Sequence, residues 1–222
     1  MKAPVYARFG NTSLLRAVRA HLPPGGAVLD IGCASGGLLA ELADVAGYRA
    51  GAEIDPEAAT AAAQVADRVV AGPFDPAAFG DRTFDVISMG DVLEHVPDPL
   101  SVLRDAATLL SPTGVVAVSL PNVAHWTIRL RLLRGGWRYE SDGILDDTHL
   151  RFFTWTTATE LVESAGLEVV DRISVVPPLH NHVPGVAKKA ARAAERFWQG
   201  AGRRRPNLLA YQMVFVARSP ST

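Results

Sequence analysis

Only one cysteine, Cys33, occurs in the 222 residues, so no disulfide framework can hold the chain together. So little sulfur chemistry suits a reducing compartment, and the cytoplasm is the expected location. No apolar run reaches the about 20 residues that a transmembrane helix needs. The opening stretch, residues 1–15, lacks the apolar core of a secretory leader. Charge of one sign is missing as well: 22 Lys and Arg stand against 23 Asp and Glu, a formal net charge of -1. That balance gives no global pull toward nucleic acid or an anionic membrane. No segment carries the aromatic interleaving of a nucleic-acid module, so no nucleic-acid partner is expected. Internal repeats and a clear linker are also lacking. What is abundant is apolar: 48% of the residues are hydrophobic, enough for one sizeable core. Residues 1–222 therefore read as a single domain.

Strand-like and helix-like patterns alternate along the first half. Short buried runs at Ala27–Ile31, Arg49–Ile54, Val69–Ala71, Phe84–Met89 and Val115–Leu120 read as strands. Between them, Gly37–Ala46, Pro56–Ala66 and Pro99–Leu110 repeat apolar residues at helical spacing, and Ser111–Gly114 reads as a turn. A further helix is expected at Thr12–Leu22. This β-α-β-α order predicts a mostly parallel sheet covered by helices. Beyond residue 121 the pattern changes. Ala124–Arg134 reads as a basic helix, Gly135–Thr148 as a polar, turn-rich stretch, and Ala158–Ala165 as a helix. Leu167–Val176 and Leu208–Val216 read as the last strands, with the basic, alanine-rich Pro184–Arg205 between them.

The first chemical signal is VLDIGCASG, residues 28–36. Glycines after a strand let the backbone turn tightly and approach a ligand, and the N–H groups of the next helix then face it. Glu53 ends the following strand, where a carboxylate can accept from ribose hydroxyls. By itself this loop suits any nucleotide, and Gly32-x-Ala34-x-x-Gly37 resembles a degenerate dinucleotide fingerprint. Asp30 argues otherwise. Its carboxylate repels a pyrophosphate but suits the ammonium and sulfonium of S-adenosylmethionine.

Four blocks stand in a fixed order: VLDIGCASG, GAEIDPEAA, FDVISMGDVLEHVPDP and LLSPTGVVAVSLPNVAHW. Together they resemble the class I S-adenosylmethionine-dependent methyltransferases. Within that family the chain is most similar to small bacterial enzymes with a DxLEHxxDP block and a later THLRFFT block, which are associated with glycan or natural-product pathways. The resemblance covers about Leu14 to Val216. It implies an α/β, Rossmann-like, seven-stranded and mostly parallel sheet with the last strand antiparallel and helices on both faces. It also implies that Gly32, Cys33 and Ala34 line the methionine part, Glu53 binds ribose, Ile54 and Phe74 flank the adenine, and Met89 offers backbone to the methionine amine. Two positions depart from the family. Ala34 replaces a second glycine, and Pro73 stands where many members place an acid, leaving Asp75 as the substitute.

Asp91, Glu94 and His95 follow the Phe84–Met89 strand. On a helical turn these three would share one face, and in such a sheet they fall at the mouth of the site. Two carboxylates and an imidazole can ligate a divalent metal, or they can close a hydrogen-bonded loop with no metal. His149 adds a fourth candidate. The pattern resembles two O-methyltransferase groups, those that methylate the 2′-hydroxyl of small RNAs and those of ubiquinone biosynthesis. In the former the matching residues hold a divalent metal. The resemblance therefore implies Asp91, Glu94, His95 and His149 as ligands of an ion such as Mg, with His95 or His149 as the proton acceptor. His125 is a weaker candidate for the substrate side.

Two basic stretches, Ala124–Thr148 and Pro184–Arg205, read as lids or solvated helix faces on the substrate side. The expected reaction is methyl transfer to a small acceptor, favouring a sugar or natural-product hydroxyl. A metal-free N- or carboxyl-methyltransferase and a non-catalytic S-adenosylmethionine-binding accessory protein are the alternatives. The oligomeric state stays open, a homodimer being compatible.

Overall fold

The computed structural model describes residues 11–177 and 193–220. Its sheet has seven strands: β1 (Ala27–Ile31), β2 (Tyr48–Glu53), β3 (Arg68–Ala71), β4 (Phe84–Gly90), β5 (Leu110–Pro121), β6 (Glu168–Val175) and β7 (Gln212–Arg218). They lie in the order β3-β2-β1-β4-β5-β7-β6. Pairings among β1 to β5 are parallel, whereas β7 runs antiparallel to both β5 and β6. This is the Rossmann-like arrangement that the blocks implied.

Period-two alternation along the strands splits the core into two layers. Leu29, Ile87, Val116 and Phe215 face one layer, which also takes Leu103 and Ala106 of α4 (Pro99–Ala107) and Ala158 and Val162 of the helix Trp155–Ser164. Val28, Val86, Ala117 and Val214 face the other, with Leu14 and Val18 of α1 (Thr12–His21) and Leu38 of α2 (Gly37–Glu41). Helices thus cover both faces. The remaining helices are α3 (Pro56–Ala62), α5 (Trp126–Leu133), α6 (Trp155–Ser164), α7 (Glu195–Arg204) and the single turn α8 (Pro206–Leu209). No helix among the described residues is long and apolar enough to cross a membrane.

Several boundaries differ from the sequence expectation by a few residues, α3 ending at Ala62 rather than Ala66 and α4 at Ala107 rather than Leu110, and three further differences have a local reason. The helix expected to run to Ala46 stops at Glu41, because the chain turns to bring Gly47 N–H onto the Gly26 carbonyl at 2.9 Å. There a side chain on Gly47 would sit 2.3 Å from the Gly25 carbonyl oxygen. The expected turn Ser111–Gly114 is instead part of β5. It is absorbed by a register shift opposite Phe84 and Val86. The strand expected from Leu208 begins only at Gln212, and Pro206–Leu209 forms α8. Proline at the first helical position favours that turn.

Asn122, buried just past β5, fixes this last detour. Its side-chain N–H group donates to the carbonyls of Pro206 (3.2 Å), Asn207 (3.3 Å) and Ala210 (2.7 Å), while its Oδ1 accepts from Ala124 N–H at 3.0 Å. One amide thus ties the end of β5 to the approach of β7. Asn122→Ala leaves these buried groups without their partner, at a cost of about 1–3 kcal/mol. Denaturant unfolding of the purified variant is expected to show that loss.

Candidate active site

The loop between β1 and α2 has the left-handed turns that its sequence requires. Gly32 and Gly36 have φ of 73° and 82°, and Ala34, which lacks glycine's freedom, still adopts φ 46°. Gly32 and Ala34 are exposed and Cys33 is buried between them. The Cys33 side chain packs against Gly51 in the core, and burial pushes its thiol up to about 12. Cys33 therefore contributes only backbone to the loop surface, and its N–H is taken by the Ala52 carbonyl at 3.2 Å.

Glu53 braces the loop. One carboxylate oxygen accepts from Ala34 N–H at 2.8 Å and the other from Asp55 N–H at 2.9 Å. Ile54, next along, is a large side chain left 71% exposed, a free apolar wall. Phe74 leans on Phe79 with ring centroids 6.2 Å apart. Asp75 accepts from Ala77 N–H at 2.9 Å and caps a short 3-10 turn, so the substitute acid is engaged locally. Met89 buries its side chain in the core one residue before β4 ends. Asp30 lies under the loop, nearly inaccessible, and accepts from Ser88 Oγ at 2.6 Å. Burial, opposed by that hydrogen bond, pushes its carboxyl up to about 7.

Past β4 the chain does not form the expected helical turn. Asp91 takes φ 55°, and its N–H donates to the Ser119 carbonyl (3.2 Å) and hydroxyl (3.1 Å). A residue pinned in that conformation cannot start a helix. The turn still gathers three of the four candidates. Single ligand atoms of Glu94, His95 and His149 lie within 4.8 Å of one another. His149 is carried there from far along the chain, because the Glu94 carbonyl accepts from Leu150 N–H (2.8 Å) and Arg151 N–H (3.1 Å). The two imidazoles meet edge to face, with centroids 4.7 Å apart.

Asp91 is not in that group. Gln212 Nε2 donates to both its oxygens at 2.6 and 2.7 Å, and Ser119 Oγ adds a third bond at 3.2 Å. The cluster opens into a cavity of about 230 Å³ whose rim includes Asp91, Asp146, Tyr211 and Gln212. The last three were not among the residues singled out from the sequence. Asp146 could have been, standing three before His149. Gln212 is the polar first residue of a strand that is apolar up to Arg218, and only the sheet order reveals its neighbour.

The electrostatics of the cluster are unusual. Both Glu94 carboxylate oxygens are buried without a hydrogen-bond partner among the described residues. Burial, with the nearby Asp91 charge, pushes that carboxyl up to about 8. Burial lowers the pKa of His149, and the neighbouring His95 adds to the effect. Each imidazole meets a carbonyl through Nδ1, His149 at Ile144 O (3.1 Å) and His95 at Thr148 O (3.3 Å). With Nδ1 carrying the proton, Nε2 is the free nitrogen. His125 is fully buried at the start of α5, with Nδ1 2.7 Å from Thr127 Oγ1, and lies off the cavity rim.

The first basic stretch is largely folded onto itself. Arg131 pairs with Glu140 at 2.7 Å, and Arg129 Nε donates to the Ala124 carbonyl at 2.6 Å. Ile128, Ile144 and Leu145 form a small core of their own beside the cavity, and Trp137 stacks edge-on against Phe152 at 5.2 Å. Residues 178–192 of the second stretch lie outside the described residues.

A seven-stranded sheet of this order, with a glycine turn after β1 and an acid ending β2, defines a class I S-adenosylmethionine-dependent methyltransferase. The chain belongs to the methyltransferase-domain family, whose model matches residues 6–172. A ubiquinone biosynthesis O-methyltransferase of Cereibacter sphaeroides is 36% identical over 172 residues, which cover 72% of this chain and 68% of that protein. For one from Xanthomonas campestris pv. campestris the identity is 38% over 108 residues, so the likeness spans 45% of this chain and 44% of that relative. Among solved structures, a methyltransferase from Archaeoglobus fulgidus superposes with a TM-score of 0.64 at 15% identity, covering 93% of this chain and 92% of that one.

Two substitutions test the loop. In Gly32→Ala the added Cβ would stand 2.5 Å from Val92 Cγ2, at a φ that disfavours side chains. We expect a loss of about 1–3 kcal/mol, partly restored in Gly32→Ala/Val92→Ala, read by thermal unfolding. Asp30 supplies a pH test. Its folded pKa of about 7 lies above the ordinary 3.8, so its contribution to stability is full below that ordinary value and is lost as the pH rises through about 7. Unfolding curves of the cofactor-free protein from pH 4 to 8 should therefore be flatter for Asp30→Asn than for the parent.

Proposed function

We propose that the protein transfers the methyl group of S-adenosylmethionine to a hydroxyl of a small acceptor, at a divalent-cation site made by Glu94, His95 and His149. The observation that carries this reading is the Glu94 carboxylate. It is buried, has no hydrogen-bond partner on either oxygen among the described residues, and shares a 4.8 Å cluster with two imidazoles. A bare carboxylate in that setting is costly unless it is protonated or meets a cation. The tethered Nδ1 atoms leave two Nε2 lone pairs for the same cation, in the usual manner of metal-bound histidines. One carboxylate and two imidazoles suit an ion such as Mn, Fe or Zn better than Mg, which prefers oxygen alone. The relatives named for O-methylation support the choice of a hydroxyl.

In this reading Gly32, Cys33 and Ala34 present the loop backbone to the methionine part. Glu53 accepts from the ribose, Ile54 and Phe74 flank the adenine, and the end of β4 at Met89 meets the amine, with Asp30 beneath. The cation, when bound, supplies a lowered pKa for the acceptor hydroxyl. The chain's own groups do the rest. The cavity rim holds the acceptor oxygen in line with the methyl carbon. An oxygen–carbon bond forms as the carbon–sulfur bond breaks, leaving S-adenosylhomocysteine. In this reading both Nε2 atoms hold the cation and neither imidazole can take the hydroxyl proton, which is released to solvent, while the Nδ1 bonds to main-chain carbonyls fix the two rings. Asp91, held by Gln212, sits on the rim as an acceptor for a second hydroxyl.

A second reading keeps S-adenosylmethionine without a cation. It rests on the same Glu94, whose carboxyl at about 8 would hold its proton at neutral pH and donate to a carbonyl oxygen of the acceptor. Metal content and turnover separate the two. We expect calorimetry to show S-adenosylhomocysteine binding, and Mn binding weakened on the order of tenfold or more in His149→Ala. Chelation should abolish turnover. Full turnover after chelation, unchanged in His149→Ala, would sink the cation reading and leave the second.

A further inference from the structure

The second basic stretch ends in a feature that the methyl-transfer site does not use. On α7, Arg196, Gly200, Arg203 and Arg204 recur at the spacing of one helix face, and Arg205 follows at the helix end. They line a groove of about 780 Å³, with Phe197 at 79% exposure on its flank and Leu209 at its inner end. Gly200 keeps the floor open, since an added Cβ there would meet nothing within 4 Å. None of these four arginines has an ion pair with a carboxylate among the described residues, whereas Arg131 on α5 is spent on Glu140. The helix is not a loose tail. A Cβ on Gly202 would lie 2.2 Å from Val176, and Asn122 anchors the chain that follows.

The groove and the acidic cavity are lined by neighbouring stretches of the same chain. Leu209 lines the one, and Tyr211 and Gln212 line the other. Two residues of chain span at most about 7 Å. An acceptor reaching both would thus meet opposite charge at its two ends. A phosphate is repelled by the rim carboxylates Asp91 and Asp146 and attracted by guanidinium groups, whose paired N–H donors match its oxygens. We infer that the α7–α8 groove binds a phosphate or diphosphate group of the acceptor and turns its hydroxyl-bearing end into the cavity. This rests on the methyltransferase reading and adds the acceptor's chemical class. An apolar or ring portion next to the phosphate would lie against Phe197.

The test uses the full chain and inorganic pyrophosphate as probe. Calorimetry is expected to show saturable binding that falls about tenfold in R203Q/R204Q/R205Q, while S-adenosylhomocysteine affinity stays within about twofold. Vesicles of phosphatidic acid and of phosphatidylcholine identify the source of the phosphate. Sedimentation with the former alone, lost in the variant, indicates a lipid-borne group, and pyrophosphate binding without sedimentation indicates a soluble one. Binding of neither probe, or binding indifferent to the arginines, overturns the inference. Failure of the parent to bind S-adenosylhomocysteine would instead overturn the methyltransferase reading. If the triple variant melts early, R203Q and R204Q singly are expected to lose affinity severalfold, and unchanged affinity in both is equally fatal.

Discussion

The site depends on how backbone groups are satisfied where the parallel strands stop. A sheet buried on both faces must release its chain at the strand ends, and each N–H and carbonyl there needs a partner. Side chains supply them. Glu53 takes the amides of Ala34 and Asp55, Ser119 takes that of Asp91, and Asn122 collects the carbonyls before β7. Each of these polar groups settles a structural debt and fixes a functional position at once. The loop, the acidic turn and the last strand consequently meet on one side of the sheet.

Charge follows the same economy. The cavity concentrates Asp91, Glu94 and Asp146, although the chain as a whole carries a net charge of only -1. Gln212 and Ser119 hold the Asp91 carboxylate with three hydrogen bonds. Glu94 receives none among the described residues, and so it is the group whose environment calls for a counter-charge. The contrast between two carboxylates three residues apart shows that neighbours, not residue type, assign their roles. Fold alone would not have made that distinction.

Local patterns made much of this legible beforehand. The glycine turn, the acid ending β2 and the two-layered parallel sheet follow from spacing and periodicity, and Glu94, His95 and His149 come together as the block order implied. The helical turn expected for Asp91 did not form, because a contact with Ser119, 28 residues away, sets its backbone. Gln212 was invisible for a stronger reason. It lies 121 residues from Asp91, and only the insertion of β7 beside β5 makes them neighbours. The end of α2 and the start of β7 were misjudged where a close backbone approach or a single buried amide outweighed local propensity.

The strand order has a consequence for biosynthesis. Because β7 lies between β5 and β6, β6 has no hydrogen-bonded neighbour until β7 is translated, after every other strand of the sheet. A nascent chain can therefore close the nucleotide half, β1 to β5, while β6 still offers a bare edge and Asp91 still lacks Gln212. In that interval the emerging polypeptide is vulnerable to strand exchange with its neighbours on the polysome. Insertion of β7 ends that exposure, and the same event delivers Gln212 to Asp91 on the cavity rim.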